Sequence, residues 1–527
     1  MPEFTHIDRT VTPARLTLPA RYNAAVDFID RNLDQGRGGK IAIHDDRGSY
    51  TYEDVAERVN RAGNALRALG VGPGDRVMMI MADTVAFPAV FFGAIRMGAV
   101  PVPVNTMLPA NDYTYMLRDS GARALVVSEI FWDTVAPVVG DQSELGYVIV
   151  DGAAAGDTLS LSGLMANADA SLDPVLFPPG APCFWLYTSG TTGRPKGAVH
   201  AHKDLVQTAE LYGVKVLGIG EDDVVFSAAK LFFAYGLGNS LSFPFYVGAT
   251  AVLMAERPLP DAVLTRIADH GPSIFYGVPT LYAGLLASGL MPEGGFERLR
   301  RCTSAGEALP ESVAERWQAG TGVPILDGIG STEMLHIFLS NHPEDVRYGT
   351  TGKPVPGYDL RLTDDHGAPV AVGDVGDLWV KGPSSASEYW NQSEKSRETF
   401  VDGWTRTGDK YARDADGYYA YQGRSDDMLK VGGIFVSPFE VEGALMSHPD
   451  VLEAAVVGHP DPDELIKPKA FVILNDGVTG SPDLDAALKA FVKERLAPYK
   501  YPRWIEFVPD LPRTATGKIQ RFKLRAS

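Results

Sequence analysis

Cysteine is nearly absent from this chain of 527 residues, which holds only Cys183 and Cys302. So sparse a set excludes a disulfide-stapled scaffold, and both are expected to be reduced thiols of a cytoplasmic protein. Basic charge is in deficit. Lys and Arg number 48 against 66 Asp and Glu, a formal net charge of −18. No basic stripe stands out, which excludes nucleic-acid binding through phosphate contacts. Any anionic substrate must then be drawn in by local lysines and arginines. Long apolar runs are missing as well. The most apolar region, Val77 to Val104, is broken by Asp83, Arg96 and three prolines, so it fails as a membrane span. No export signal is expected at the N-terminus, which lacks a charged segment followed by an apolar core. What is present, 45% hydrophobic and 22% charged residues, suits a soluble globular enzyme.

The chain organises itself as α/β. A helix is predicted over Tyr22 to Arg31 after an irregular lead-in. A clearer one spans Tyr52 to Leu69, with Thr51 as cap, Asp54 as capping-box acid and Gly70 as its stop. Strands then alternate with helices: Arg76–Met81, Val100–Val104 and Ala122–Val127 enclose helices near Phe87–Met97 and Asp112–Arg118. That alternation indicates a mostly parallel, helix-covered sheet. A second such run holds strands at Val224–Ser227, Thr250–Met254 and Ser273–Tyr276, with a helix at Asp261–His270. After about Thr350 short β segments between Gly-, Pro- and Asp-rich turns suggest a small β unit. The expected architecture is a large N-terminal domain, residues 1–425, of two doubly wound α/β subdomains plus that β unit, followed by a small mobile α+β domain, residues 426–527. The boundary falls in the charged stretch Arg424–Asp427, expected to be exposed and suited to a hinge.

One stretch dominates the chemistry: Tyr187-Thr-Ser-Gly-Thr-Thr-Gly-Arg-Pro-Lys-Gly197. An apolar run, Cys183-Phe-Trp-Leu, enters it and a β-branched segment around Val199 leaves it, so it reads as a tight loop between strands. Thr188, Ser189, Thr191 and Thr192 offer hydroxyls, and Gly190 and Gly193 let backbone N–H groups converge on an anion. Lys196 adds a point charge. The loop is built for a polyphosphate, yet it lacks the Lys-Ser or Lys-Thr pair of the common phosphate loop and no helix begins at the lysine.

This loop resembles the phosphate-binding motif of adenylate-forming enzymes, the family of acyl- and aryl-CoA synthetases, luciferases and peptide-synthetase adenylation domains. Further matches extend along nearly the whole chain. The resemblance implies that Ser304-Ala-Gly-Glu307 lies against adenine, with Ala305, Gly306 and Glu307 in contact, and that Ala305 and Gly306 also border the acid's pocket. In Asp327-Gly-Ile-Gly-Ser-Thr-Glu333 it implies that Asp327 and Gly328 meet the adenine edge and Ile329 its face. Thr332 then touches the α-phosphate and Glu333 holds Mg²⁺, a hard cation that prefers oxygen. The family usually carries an aromatic where Ile329 stands. Asp409 and Arg424 match the ribose-binding motifs, and Lys518, in Thr-Gly-Lys518, matches the catalytic lysine that bridges carboxylate and α-phosphate. Related synthetases rotate the C-terminal domain about the position of Asp426, which places Lys430, Gly432 and Gly433 on the face that admits CoA. The implied co-substrates are ATP and coenzyme A, with Mg²⁺ as cofactor.

The acid is read from Phe233, Ala234 and Tyr235, which could flank a flat ring, and from His336 and Ile337 at its far end, with Gly330 also in the pocket. The wording of these two runs is similar to the benzoate–CoA ligases of the family. The expected reaction is therefore ligation of benzoate, or a ring-substituted relative such as 4-hydroxybenzoate or 2-aminobenzoate, to CoA by a monomer or homodimer without membrane or nucleic-acid partners. A carrier-loading adenylation protein and a non-catalytic nucleotide sensor are the alternatives; retention of Lys518 and Glu333 speaks against the sensor.

Overall fold

The computed structural model describes residues 3–140, 145–153, 156–188, 194–292, 294, 296–425, 427–431, 434–462, 465–497, 499–513 and 519–525; of residues 430, 434 and 435 it describes the backbone alone.

Alternating strands and helices make parallel sheets because each helix returns the chain to the start of the next strand. The first sheet runs, in spatial order, Val100–Pro103, Arg76–Ile80, Ala124–Ser128, Tyr147–Asp151 and Leu159–Ser160, all parallel. Its helix Tyr52–Ala68 begins as expected: the Thr51 hydroxyl accepts from the Asp54 N–H, and the Asp54 carboxylate accepts from the Thr51 N–H. The helix packs on Ala86–Arg96 where Gly63 meets Gly93. A Cβ on either glycine would lie within 2.8 Å of the other's backbone, so the close crossing requires both.

The second sheet has nine strands. Its parallel interior comprises Ile325–Gly330, Arg301–Ser304, Ile274–Gly277, Val224–Ser227, Thr250–Val252 and Ile41–Asp45. Antiparallel strands Ile337–Ser340 and Lys353–Pro354 extend one edge, and Gly48–Thr51 the other. The hairpin Ile41–Thr51 was not expected, because its strands are short and only partly apolar. One hydrophobic core joins both sheets, with Phe28, Phe91, Phe92 and Phe245 among its buried rings. The small β unit is antiparallel, built from Asp359–Thr363, Val375–Lys381, Trp404–Arg413 and Tyr419–Arg424.

At the C-terminal end Val451–Pro460 and Ile466–Leu474 pair antiparallel, and Trp504–Phe507 joins them parallel. Helices Pro438–Met446 and Pro482–Arg495 cover this sheet over a separate core that includes Val441, Val456, Val472 and Leu488.

Three expectations need correction. The lead-in is not wholly irregular, since His6–Asp8 and Arg15–Thr17 form a hairpin. The first helix lies later than expected, over Val26–Asp30 and Arg31–Asp34, because Tyr22 is drawn into a bridge with Phe177. The charged stretch Arg424–Asp427 is half-buried rather than exposed, because each described member finds a counter-group. Arg424 donates to Asp409, the Ser425 hydroxyl donates to Asp377 at 2.8 Å, and Arg525 donates to Asp427. Asp426 lies outside the described residues. Among the described residues no helix is long and apolar enough to cross a membrane.

Candidate active site

The phosphate motif sits where it was expected, between two strands. Pro182–Thr188 and Lys196–Ala201 form an antiparallel hairpin whose last pair is Thr188 opposite Lys196. A strand, not a helix, starts at the lysine. Ser189, Gly190, Thr191, Thr192 and Gly193 lie outside the described residues. The Lys196 ammonium rests 4.2 Å above the Tyr389 ring, and the Tyr389 hydroxyl donates to Glu333 Oε1 at 2.6 Å. Burial pulls the ammonium below the ordinary lysine range, and the nearby Glu333 charge opposes that. Tyr389 was missed in the sequence. It lies in the two-residue strand Glu388–Tyr389, which pairs with the lysine's strand through Ala198, and nothing in its local pattern marks it.

Parallel strands place Ser304 and the segment after Asp327, expected at the nucleotide, toward their carboxyl ends, where open α/β sheets bind ligands. Gly277, Ser304 and Asp327 are register neighbours across three adjacent strands. Ala305 is buried, Gly306 is exposed with φ +95°, and Glu307 is half-buried. Asp327 is buried, and its Oδ1 finds no donor among the described residues. Burial holds its carboxyl well above the usual range. Such an orphaned acceptor fits an amino group at an adenine edge. Beyond Gly328 a bulge between Ile329 and Gly330 ends the regular pairing and turns the half-buried Ser331, Thr332 and Glu333 out of the sheet. Glu333 Oε2 has no protein donor among the described residues. Glu333 could hold Mg²⁺, a hard cation that prefers oxygen ligands; among the described residues no group of three or more His, Cys, Asp or Glu side chains occurs.

Asp409 and Arg424 face each other across the antiparallel pair Trp404–Arg413 and Tyr419–Arg424. Arg424 Nη1 donates to Asp409 Oδ1 at 3.0 Å and to the Thr407 carbonyl at 3.1 Å. The Asp409 charge strengthens the arginine's hold on its proton. Arg424 Nε is left without an acceptor among the described residues. Gly408 adopts φ +76°, a backbone conformation that side-chain-bearing residues rarely take, which favours glycine here.

The expected acid-binding residues also converge. Phe233, Ala234 and Tyr235 are half-buried, and the ring of Tyr235 lies 5.6 Å from that of His336. The Tyr235 hydroxyl shares a hydrogen bond with Thr303 Oγ1 at 2.5 Å. His336 is buried against Phe243 and Tyr212, and its Nε2 faces Asn239 Oδ1 at 3.1 Å. Because an amide oxygen only accepts, Nε2 donates. Burial pushes the imidazole down to about 3, so it is neutral at working pH. Ile337 packs over Gly328, and Gly330 passes so close to the His336 backbone that a side chain there would overlap it.

On the C-terminal side Lys430 lies in Leu429–Val431, which pairs with Ile434–Val436. Its side chain, together with Gly432, Gly433 and Lys518, lies outside the described residues. Arg513 bridges to Ile519, and the Gln520 N–H donates to the Pro512 carbonyl at 2.7 Å.

A large α/β domain, a strand hairpin flanking the Thr/Ser/Gly motif and a small α+β C-terminal domain are the architecture of an adenylate-forming enzyme. The chain belongs to the AMP-binding enzyme family, which matches residues 29–390, with the AMP-binding enzyme C-terminal domain matching residues 440–518. It is 60% identical to a benzoate–CoA ligase of Thauera aromatica over 99% of both chains. A benzoate CoA ligase structure from Burkholderia xenovorans LB400 superposes with a TM-score of 0.90 at 52% identity, covering 96% of this chain and 100% of that one. The structure of the anthranilate CoA ligase AuaEII in complex with anthranoyl-AMP gives a TM-score of 0.93 at 46% identity, covering 97% of this chain and 98% of that one.

Proposed function

We propose that this chain ligates benzoate to coenzyme A at the expense of ATP, through benzoyl-AMP. The observation that carries the reading is a short run of chain. From Asp327, whose Oδ1 finds no donor among the described residues and suits the adenine edge, it passes in six residues to Glu333, whose Oε2 finds no donor among them and whose charge acts on Lys196. The acid's proposed pocket, Phe233 to Tyr235 with His336, borders the same run.

In the first step a benzoate oxygen attacks the α-phosphorus and pyrophosphate leaves. In the second the CoA thiolate attacks the acyl carbon and AMP leaves. Thr188, Ser189, Gly190, Thr191, Thr192 and Gly193 hold the triphosphate with Lys196, Asp409 holds the ribose, and Arg424 donates to the ribose or a phosphate. Glu333 would hold Mg²⁺, which when bound neutralises phosphate charge. Lys518 contacts the carboxylate and α-phosphate oxygens. Charge builds on those oxygens as the bond forms, so a fixed ammonium stabilises the transition state more than the ground state. Residues 426–527 then turn about Asp426 to bring Lys430, Gly432 and Gly433 to the cleft for CoA. No side-chain nucleophile is required. Both cysteines are buried, and burial pushes their thiols up, away from the reactive thiolate.

The protein is taken to act in the cytoplasm as a monomer or homodimer. The likeness to an anthranilate CoA ligase favours a second reading, tolerance of a small ring substituent, since one such group in an apolar pocket changes binding by only about 1–3 kcal/mol. The test is AMP release with a panel of aryl acids, with and without CoA. Benzoate is expected to give the highest kcat/KM and a CoA-dependent thioester. Failure of every acid to split ATP into AMP would overturn the reading.

A further inference from the structure

The segment that carries Thr332 and Glu333 is pinned through three consecutive peptide carbonyls. That of Thr332 faces His200 Nε2 at 2.7 Å, that of Glu333 accepts from the Ala386 N–H at 2.7 Å, and that of Met334 accepts from the Ser384 hydroxyl at 2.8 Å. Of these three supports only His200 belongs to the phosphate hairpin. It sits four residues beyond Lys196 on the strand Lys196–Ala201, so both side chains share one face of that strand. The strand thus reaches the metal segment twice: Lys196 lies over Tyr389, which holds the Glu333 carboxylate, and His200 holds the Thr332 carbonyl.

His200 is fully buried and stacked on Phe184, with ring centroids 5.3 Å apart. Its Nδ1 faces Asp204 Oδ2 at 3.1 Å, and the Asp204 carboxylate also accepts from the Ala201 N–H at 2.9 Å and from Lys203 Nζ at 2.8 Å. A peptide oxygen only accepts, so Nε2 donates to Thr332. With both ring nitrogens engaged and no solvent access, the imidazole is placed to hold a neighbour, not to exchange protons with substrate.

We propose that His200 is a positioning residue that fixes the Thr332–Glu333 segment against the strand Lys196–Ala201 and so relative to Lys196. The proposal rests on the reading of Thr332 as an α-phosphate contact and Glu333 as the Mg²⁺ carboxylate. Without the tether the segment keeps its other supports but can shift, and a displacement of an ångström costs such a step about 100-fold.

Three variants test it. His200→Phe keeps the stack and drops both hydrogen bonds. His200→Asn keeps a donor toward Asp204 but is too short for Thr332, and it serves if the Phe variant does not fold. His200→Gln reaches Thr332 with an amide N–H. Benzoate-dependent pyrophosphate exchange is expected to fall at least about 10-fold in the Phe and Asn variants, with the Mg²⁺ midpoint raised several-fold. Thioester formation from supplied benzoyl-AMP, and the KM for benzoate, should stay within about twofold of the parent. Gln should restore exchange to within about threefold. Equal loss in both half-reactions, an unmoved Mg²⁺ midpoint, or no rescue by Gln overturns the proposal. Glu333→Gln, assayed beside them, separates the two readings. An unmoved midpoint there overturns the metal reading itself, whereas a shift there without one in the His200 variants overturns only the tether.

Discussion

Tyr389 donates its hydroxyl to Glu333 Oε1 at 2.6 Å while its ring lies under the Lys196 ammonium. A tyrosine so placed holds the carboxylate in one orientation and keeps the lysine from collapsing onto it. A hydrogen bond to a charged acceptor contributes about 1.5–3 kcal/mol. Tyr389→Phe is therefore expected to slow adenylation by about 10- to 100-fold. The defect should be confined to the first half-reaction, read as benzoate-dependent pyrophosphate exchange, and thioester formation from supplied benzoyl-AMP should be spared. Unchanged exchange would reduce Tyr389 to a packing residue.

Why Tyr389 escaped notice in the sequence while Asp327 and Glu333 did not is a matter of where each residue's partner lies. Strand ends and Gly-rich turns are written in local pattern, so the parallel strands, the hairpin around the phosphate motif and the capping box of Tyr52–Ala68 were all legible. The seven-residue run from Asp327 to Glu333 carries its signal within itself. Tyr389 instead meets Glu333 across 56 residues, and His200 meets the Thr332 carbonyl across 132. No local period encodes such a pairing. The expected exposure of Arg424–Asp427 failed for the same reason. A charged run reads as solvated until the structure supplies Asp409, Asp377 and Arg525 beside it.

On the roles proposed above, Lys518 serves the first half-reaction and the hinge at Asp426 the second. Lys518→Ala removes an ammonium needed only while charge builds on the α-phosphate, so pyrophosphate exchange is expected to fall by about 100-fold or more. Thioester formation from supplied benzoyl-AMP should persist. Asp426→Pro should do the reverse, since a fixed φ hinders the domain turn: benzoyl-AMP forms and accumulates, and CoA transfer is lost. Rapid-quench separation of benzoyl-AMP from benzoyl-CoA reads both. Equal impairment of the two steps in Lys518→Ala, or full thioester production by Asp426→Pro, contradicts these roles.

Gly238 offers a steric test of the acid's pocket. A methyl there would overlap the His336 ring. Overpacking of this kind costs about 1–3 kcal/mol, partly recovered by displacing the neighbour. Gly238→Ala is expected to raise the KM for benzoate by about 10-fold and leave that for ATP within about twofold. Gly320→Ala, in the helix Glu311–Thr321 with nothing within 4 Å of the added methyl, is the matched control and should be silent. A benzoate KM unchanged in Gly238→Ala would remove His336 from the pocket wall.

His336 also predicts a pH dependence of stability whose sign follows from its burial. Burial lowers it from 6.5 to about 3, so the unfolded chain takes up this proton near 6.5 and the folded chain does not. Its contribution to stability is therefore complete above 6.5 and is lost as the pH falls toward 3, at about 1.4 kcal/mol per pH unit. His202, lowered by burial to about 4, acts in the same direction down to that pH. Asp83 acts oppositely. Burial raises it from 3.8 to about 6, so the folded chain holds its proton more tightly, and that contribution is present on the acid side and lost as the pH rises through 6. Asp327, which burial also raises, acts in the same direction as Asp83 and opposes the two histidines. Replacing the imidazole by an amide in His336→Gln keeps a donor for Asn239 and removes one titrating site. The urea midpoint should then fall less steeply with acid than in the parent, by about one proton's worth of slope. From pH 7 to 9 the imidazole stays neutral, so the benzoate KM should show no inflection that vanishes in the Gln variant. Parallel slopes for the two proteins below pH 6 would mean that His336 is not held neutral in the fold.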